Sequence, residues 1–313
     1  MDATLPSGIK VSTYSPPRDF NPLTADNADL QKAGFPPRPS DPHHLARYNR
    51  VLGSLQGKLN YITPTLRHNA DTFHGPRRRL AAAGAAAGTE TSTNWSGGVV
   101  YAPSGESFRW LEGDWVIPAV DAPTENQWYY CASWIGIDGD GSGDVCQIGF
   151  ETAAYRSGNS VVTSIYPWWE WYPEAEVAIT NFPVAPGDMV TALLCTKGAG
   201  STSATAYFTN RTNGATTSLT FTAPTGTSLV GNSAEWIVEA PTVGGAQSAV
   251  ADYGEVFFSV CEAVAYNANA TQSTVVNGGT GDNINLEAGG TVVSEGILIT
   301  PTIIQCEYVG PLP

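Results

Sequence analysis

The sequence predicts an all-β domain of the antiparallel sandwich or barrel kind over residues 91–313. A compositionally different, partly helical and proline-rich segment precedes it over residues 1–90. Three observations carry this reading. In the C-terminal part, short runs of Val, Ile, Thr, Tyr, Phe and Trp alternate with Gly, Pro, Asn and Asp clusters, with turn signals at roughly 8–12-residue spacing. All nine Trp and all five Cys lie there, whereas all four His lie in the first part. Charge divides at the same place: residues 1–90 hold 11 Lys+Arg against 7 Asp+Glu, a net +4, and residues 91–313 hold 4 against 22, a net −18.

Within the first part, residues 1–42 (Pro16-Pro17, Pro36-Pro37-Arg38-Pro39, Asp41-Pro42) read as extended and poorly packed on their own. Residues 43–60 place Leu45, Tyr48, Val51 and Leu52 at helical spacing, continued by Leu55 and Leu59, and predict one amphipathic helix. Arg77-Arg78-Arg79 leads into the small-residue run 81–88, read as a linker, a domain boundary and an accessible target for proteolysis. Strand-like runs then follow at 96–103, 113–120, 176–195, 203–210, 216–224, 234–241, 254–266 and 296–309, with no helical pattern and no internal repeat.

Composition excludes several classes. Only 14% of residues are Asp, Glu, Lys or Arg, and the net charge is −14, which disfavours a nucleic-acid surface. No apolar run approaches the ~18 residues needed to span a membrane. Self-repulsion among the excess carboxylates of 91–313 is relieved by acid or by a paired cationic segment, so the composition suits work at low pH. The start of the chain lacks the basic and apolar regions of a secretory signal. A trimmed signal, another export route and an intracellular location all remain open on that ground. The five cysteines fit no zinc pattern; two disulfides and a free thiol would be compatible with them.

Elimination narrows the chemistry. Residues 91–313 contain no His, so neither a Ser-His-Asp nor a Cys-His hydrolase, nor histidine-ligated zinc, can be built from them. No phosphate-binding G-x-x-x-x-G-K-[ST] loop is present. Carboxylate, amide, hydroxyl and aromatic chemistry remain. In residues 134–150 (WIGIDGDGSGDVCQIGF), Asp138, Asp140, Ser142 and Asp144 could wrap a calcium ion, or they could simply form a Gly/Asp turn. In residues 166–174 (YPWWEWYPE), consecutive aromatics around Glu170 must point to both faces of a strand, and an exposed aromatic row would suit a substrate groove. In residues 232–241 (NSAEWIVEAP), Glu235, Ile237 and Glu239 share one face of a strand and Trp236 and Val238 the other. Such a glutamate is either solvated or aimed into a cleft.

Taken together, Asn94-Trp95-Ser96-Gly97-Gly98, WIGIDGD at 134–140, QIGF at 147–150, WWEWYPE at 168–174, NSAEWIVE at 232–239 and CEYV at 306–309 resemble, in that order, the glutamic peptidases of the eqolisin family (peptidase family G1). The resemblance covers nearly all of 91–313. It implies a lectin-like (concanavalin-like) antiparallel β-sandwich and an acid endopeptidase without cofactor or metal. It places the family's catalytic glutamine on Gln147 and its glutamate on Glu239, with Trp95, Trp134, Asp138, Trp169 and Glu170 near the substrate cleft. Ile148 stands where the family often has Thr, and the 140–147 loop differs in length and cysteine placement. Residues 1–90 are similar to the family's N-terminal propeptide and are expected to inhibit the enzyme until acid releases them, carboxylate protonation weakening the attraction and protonated His43, His44, His68 and His74 repelling one another. A secreted monomer acting on polypeptides, with no nucleic-acid or membrane partner, follows from the same resemblance. Two other readings fit the residues: a glycoside hydrolase or carbohydrate-binding sandwich using paired carboxylates such as Glu170 and Glu239, and a non-catalytic binding module.

Overall fold

The computed structural model describes residues 2–54, 59–80 and 89–311. Antiparallel strands form two layers. The front layer runs Thr291–Thr300, Asp282–Ala288, Trp95–Tyr101, Ser233–Glu239, Trp128–Ile137, Cys146–Ser157, Ser160–Trp171, Val177–Ile179 and Leu66–His68. The back layer runs Ile303–Tyr308, Glu255–Asn267, Glu106–Val116, Met189–Thr196, Ser203–Asn210, Ala215–Thr222, Lys10–Thr13 and Asp2–Thr4. Pairing of Thr291–Thr300 with Ile303–Tyr308 joins the layers at one edge. The expected all-β sandwich is therefore present.

Period-two alternation sends every second side chain of each long strand between the layers. Trp115, Ile135, Phe150, Trp169, Trp171 and Trp236 meet Ala192, Leu194, Phe208 and Phe221 there. Trp169 stacks on Phe221 with centroids 4.4 Å apart, and Phe150 meets Phe208 edge-on at 5.8 Å. Each buried indole removes about 200 Å² from water, worth roughly 5 kcal/mol before ordering costs.

The N-terminal segment departs from the expectation of poor packing. Its strands extend the far edges of both layers: Leu66–His68 pairs with Val177–Ile179 in front, and Lys10–Thr13 pairs with Ala215–Thr222 behind. A short helix, Asn27–Lys32, starts at Asp26, whose side chain accepts from the Asp29 N–H at 2.8 Å. The predicted second helix spans Pro42–Ser54. Leu59 lies beyond it, Asn60 already belongs to the strand Asn60–Tyr61, and residues 55–58 fall outside the described residues. Pro42 opens this helix, where its missing N–H costs nothing, and Asp41 accepts from the His43 and His44 N–H groups.

The cause of the order is a surface that composition alone could not reveal. The outer face of the back layer presents Trp110, Leu193, Tyr207, Val264 and Tyr266, and Leu30, Phe35, Tyr48, Val51 and Leu52 pack onto it. Arg50 pairs with Glu112 and, at 2.5 Å, with Glu262, which Arg47 also approaches at 3.2 Å. The linker expected at 81–88 lies outside the described residues. The arginine run before it is docked: Arg77 is buried against Asp140 and Glu90, and Arg79 reaches Asp140 at 2.6 Å.

In the 138–144 turn, protein donors hold the carboxylates of the candidate calcium loop. The N–H groups of Val230, Gly231 and Asn232 bind Asp138, Tyr101 and the two arginines bind Asp140, and the Trp171 indole binds Asp144. All five cysteines are free thiols, four of them buried.

Candidate active site

Strand register assembles the site. On the outward side of the front layer, Glu239, Ile237 and Glu235 lie opposite Ala132, Trp134 and Gly136, which in turn face Glu151, Gly149 and Gln147. The next strand adds Tyr166, Trp168 and Glu170, and the strand on the other side adds Trp95 opposite Glu239. Alternation thus gathers one amide, four carboxylates and three indoles on a single face. Gly136 is required there because a Cβ would meet the Trp134 ring at 2.7 Å.

A stretch of the N-terminal segment lies across this face in extended form. Thr72–Phe73 pairs antiparallel with Thr242–Val243, and the Thr72 carbonyl accepts from the Glu176 N–H at 3.0 Å. The Gln147 Nε2 donates to the carbonyl oxygen of His74, and the His74 N–H donates to both oxygens of Glu170 at 3.0 Å. The Gly75 carbonyl accepts from Trp95 Nε1 and Asn94 Nδ2, each at 3.2 Å. Arg77 continues the track by donating its N–H to the Gly139 carbonyl.

Glu239 is fully enclosed. Its Oε1 accepts from Asn94 Nδ2 at 3.1 Å and its Oε2 from Trp134 Nε1 at 3.0 Å. His74 Nδ1 stands 3.6 Å from Oε2, too far for a hydrogen bond but close for a charge pair. Burial raises the Glu239 carboxyl above its ordinary range, against the pull of His74, Asn94 and Trp134. Glu170 is raised strongly, again by burial first. Burial would lower the His74 imidazole, but its bond to Glu176 and the neighbouring carboxylates of Glu239 and Glu170 outweigh that and hold it well above its usual value.

The stretch 93–308 matches the model of the Peptidase A4 family. The chain belongs to this family. It is a glutamic peptidase of the eqolisin type, a hydrolase whose substrates are polypeptides. Aspergillopepsin-2 of Aspergillus niger is 29% identical over 228 residues, covering 66% of this chain and 74% of that protein. Scytalido-glutamic peptidase, solved with a transition state analog inhibitor, superposes with a TM-score of 0.57 at 22% identity over 69% of this chain and 98% of that one. Aspergilloglutamic peptidase from Aspergillus niger superposes with a TM-score of 0.50 at 27% identity over 58% and 99%. Membership in a peptidase family removes the carbohydrate and binding-module readings. No helix among the described residues is long and apolar enough to cross a membrane.

In this glutamic peptidase, Gln147, Glu239, Trp95, Trp134 and Glu170 all line the strip occupied by residues 72–77. Trp169 does not: it faces the inter-layer core against Phe221, and its neighbour Trp168 supplies the indole of the groove. Neighbouring strand residues face opposite ways, so a one-residue error exchanges core for cleft. Asp138 ties down the 230–232 backbone, and burial pushes its carboxyl up to about 6. The aromatic row is not exposed: Trp168, Trp169 and Trp171 are all buried, the first beneath the N-terminal segment.

Sequence reasoning missed three groups. Asn94 bridges Glu239 to the Gly75 and Pro76 carbonyls. Glu176 binds His74 Nε2 at 3.0 Å and also takes the Asn69 amide. Glu151 has both oxygens unpaired, and burial pushes it up to about 8. Glu151 carried a signal, since it follows Gln147 by four residues on one strand face. His74, Glu151 and Glu176 have ligand-type atoms within 4.8 Å of one another, the set among the described residues nearest to a metal-binding arrangement, but Glu176 already engages the imidazole.

Proposed function

We propose that this chain is the secreted precursor of an acid endopeptidase in which Glu239 and Gln147 act on the scissile peptide and residues 1–90 hold the enzyme inactive. The single observation that carries this reading is that the Gln147 amide grips a peptide carbonyl beside the Glu239 carboxylate. In a substrate complex, Glu239 takes a proton from water as the water oxygen bonds to the carbonyl carbon. The carbonyl oxygen gains negative charge, which the Gln147 N–H stabilises; such a donor is commonly worth about 3 kcal/mol. The C–N bond then breaks, and Glu239 passes its proton to the leaving nitrogen. Trp134 and Asn94 fix the base's orientation.

Residues 72–77 supply the inhibition by filling the groove in substrate fashion. His74, bonded to Glu170 and Glu176 and facing Glu239, is the plug. This revises the expected release mechanism. Protonation of His74 strengthens its seat, so acid must loosen it through the carboxylates. His44 behaves in the opposite sense. Burial lowers its imidazole to about 4, so the docked helix favours the neutral ring and loses stability as pH falls from the free-imidazole range towards that value.

The test is incubation of the full chain at pH ~4, followed by digestion of an unfolded protein. Wild type shortens itself and digests, whereas Glu239→Gln and Gln147→Ala keep a folded far-UV spectrum and digest at least about a hundredfold more slowly. A Glu239→Gln protein with wild-type activity overturns the reading.

A further inference from the structure

The side chain of His74 occupies a made-to-measure cavity. Its ring lies on Trp168 with centroids 3.7 Å apart and planes 7° apart. Its Nε2 meets Glu176 at 3.0 Å, its Nδ1 faces Glu239 at 3.6 Å, and a carboxylate oxygen of the unpaired Glu151 lies within 4.8 Å of a ring nitrogen. The same residue is held by its backbone at both ends, N–H on Glu170 and C=O on Gln147. It therefore stands where a substrate presents the residue on the acyl side of the bond to be cut.

We propose that this cavity, formed by Trp168, Glu176 and Glu151, is the enzyme's main specificity pocket and selects histidine, as the imidazolium, immediately before the scissile bond. The inference rests on the catalytic reading above, because Gln147 identifies which carbonyl is attacked. A flat ring is needed to cover the indole, and a donor at the position of Nε2 is needed to satisfy Glu176. Phenylalanine fulfils the first requirement and leaves the buried carboxylates facing carbon. A site built to accept a hydrogen bond from its substrate rejects an analogue lacking the donor far more strongly than a merely apolar pocket rejects a change of size. At the acid pH where the base operates, a free histidine side chain is protonated, so both ring nitrogens donate and Nε2 presents the N–H that Glu176 accepts.

The experiment uses protein activated from the full chain by acid and four fluorogenic peptides built on Thr-Phe-X-Gly, with X as His, Phe, Gln or Leu, compared at pH 4. The expected kcat/KM for the His peptide exceeds each of the others at least tenfold, with cleavage after X. Glu176→Gln is expected to bring the His:Phe ratio below threefold, a change of ratio that general loss of fold cannot produce. Should that variant fail to fold, the ranking of the four peptides by the unmutated enzyme decides alone. Equal or faster cleavage after Phe overturns the pocket while leaving the catalytic reading intact. Failure to cleave any of the four, or undiminished cleavage by Glu239→Gln, overturns the catalytic reading and the pocket with it.

Discussion

The imidazole of His74 lies parallel to the indole of Trp168, 3.7 Å away, with Glu176 bonded to its far nitrogen. A group from the N-terminal segment thus completes the most enclosed polar cluster of the groove. Substituting His74→Gln should unseat the segment. Breaking one partner from a buried charge pair costs about 3–5 kcal/mol. The full-length variant is therefore expected to process itself at a higher pH than wild type, shown by the time course of chain shortening between pH 4 and 7.

His44→Phe should have the opposite effect. The ring packs edge-on against Trp110 at 4.8 Å and bonds Tyr266 through Nδ1. The neutral ring's advantage is present above the ordinary imidazole value and disappears as pH falls towards about 4. A phenylalanine keeps the packing and cannot titrate. The variant should shorten more slowly than wild type at pH 4, and the two should converge near pH 7 in thermal melts.

Glu151 makes fold stability depend on pH. Its carboxyl is raised from the ordinary 4.5 to about 8, chiefly by burial, so the native state holds a proton that the unfolded chain releases. Stability should therefore decrease as pH rises between those values, by up to ~1.4 kcal/mol per pH unit. Glu151→Gln should flatten this part of the curve, as read from denaturant midpoints at pH 5, 6 and 7.

Adjacent tryptophans should give different phenotypes. Trp169→Ala empties the inter-layer core beside Phe221 and should cost about 3–5 kcal/mol of stability. Trp168→Ala alters the groove wall and should chiefly raise KM for peptides with an aromatic or imidazole side chain before the cut. Chemical denaturation and steady-state kinetics on both variants separate the two roles.

The five free cysteines make redox insensitivity a further expectation. Reductant should leave the melting temperature unchanged within error, whereas a hidden disulfide would show as a loss of several degrees.

The residues told much of this in advance, for reasons that can be located. Alternation in 232–241 put Glu235, Ile237 and Glu239 on one face, and that face is the groove. Gln147 and Glu239 were recognisable only through motif resemblance, because their approach depends on an intervening strand, Trp128–Ile137, and its register with both neighbours. The resemblance points to Trp169 while Trp168 lines the groove, because adjacent indoles look alike until the strand's phase is known. Asn94 sat inside a quoted motif, yet nothing in its spacing marked it as a bridge to Glu239. Glu176 had no distinguishing neighbour. The order of residues 2–42 escaped notice because proline-rich composition describes a chain in isolation, while here Lys10–Thr13 gains backbone partners from Ala215–Thr222.

Those borrowed partners have a consequence for the precursor proposed above. The ladders ending at Val177–Ile179 and Ala215–Thr222 are each closed by strands from residues 1–90. If that segment is removed on activation, as proposed, a row of unsatisfied backbone groups opens on each flank of the sandwich, the kind of border that recruits strands from neighbouring molecules. A segment that stoppers the groove would then also act as hemming for the fabric, and its loss would trade colloidal safety for access to the substrate.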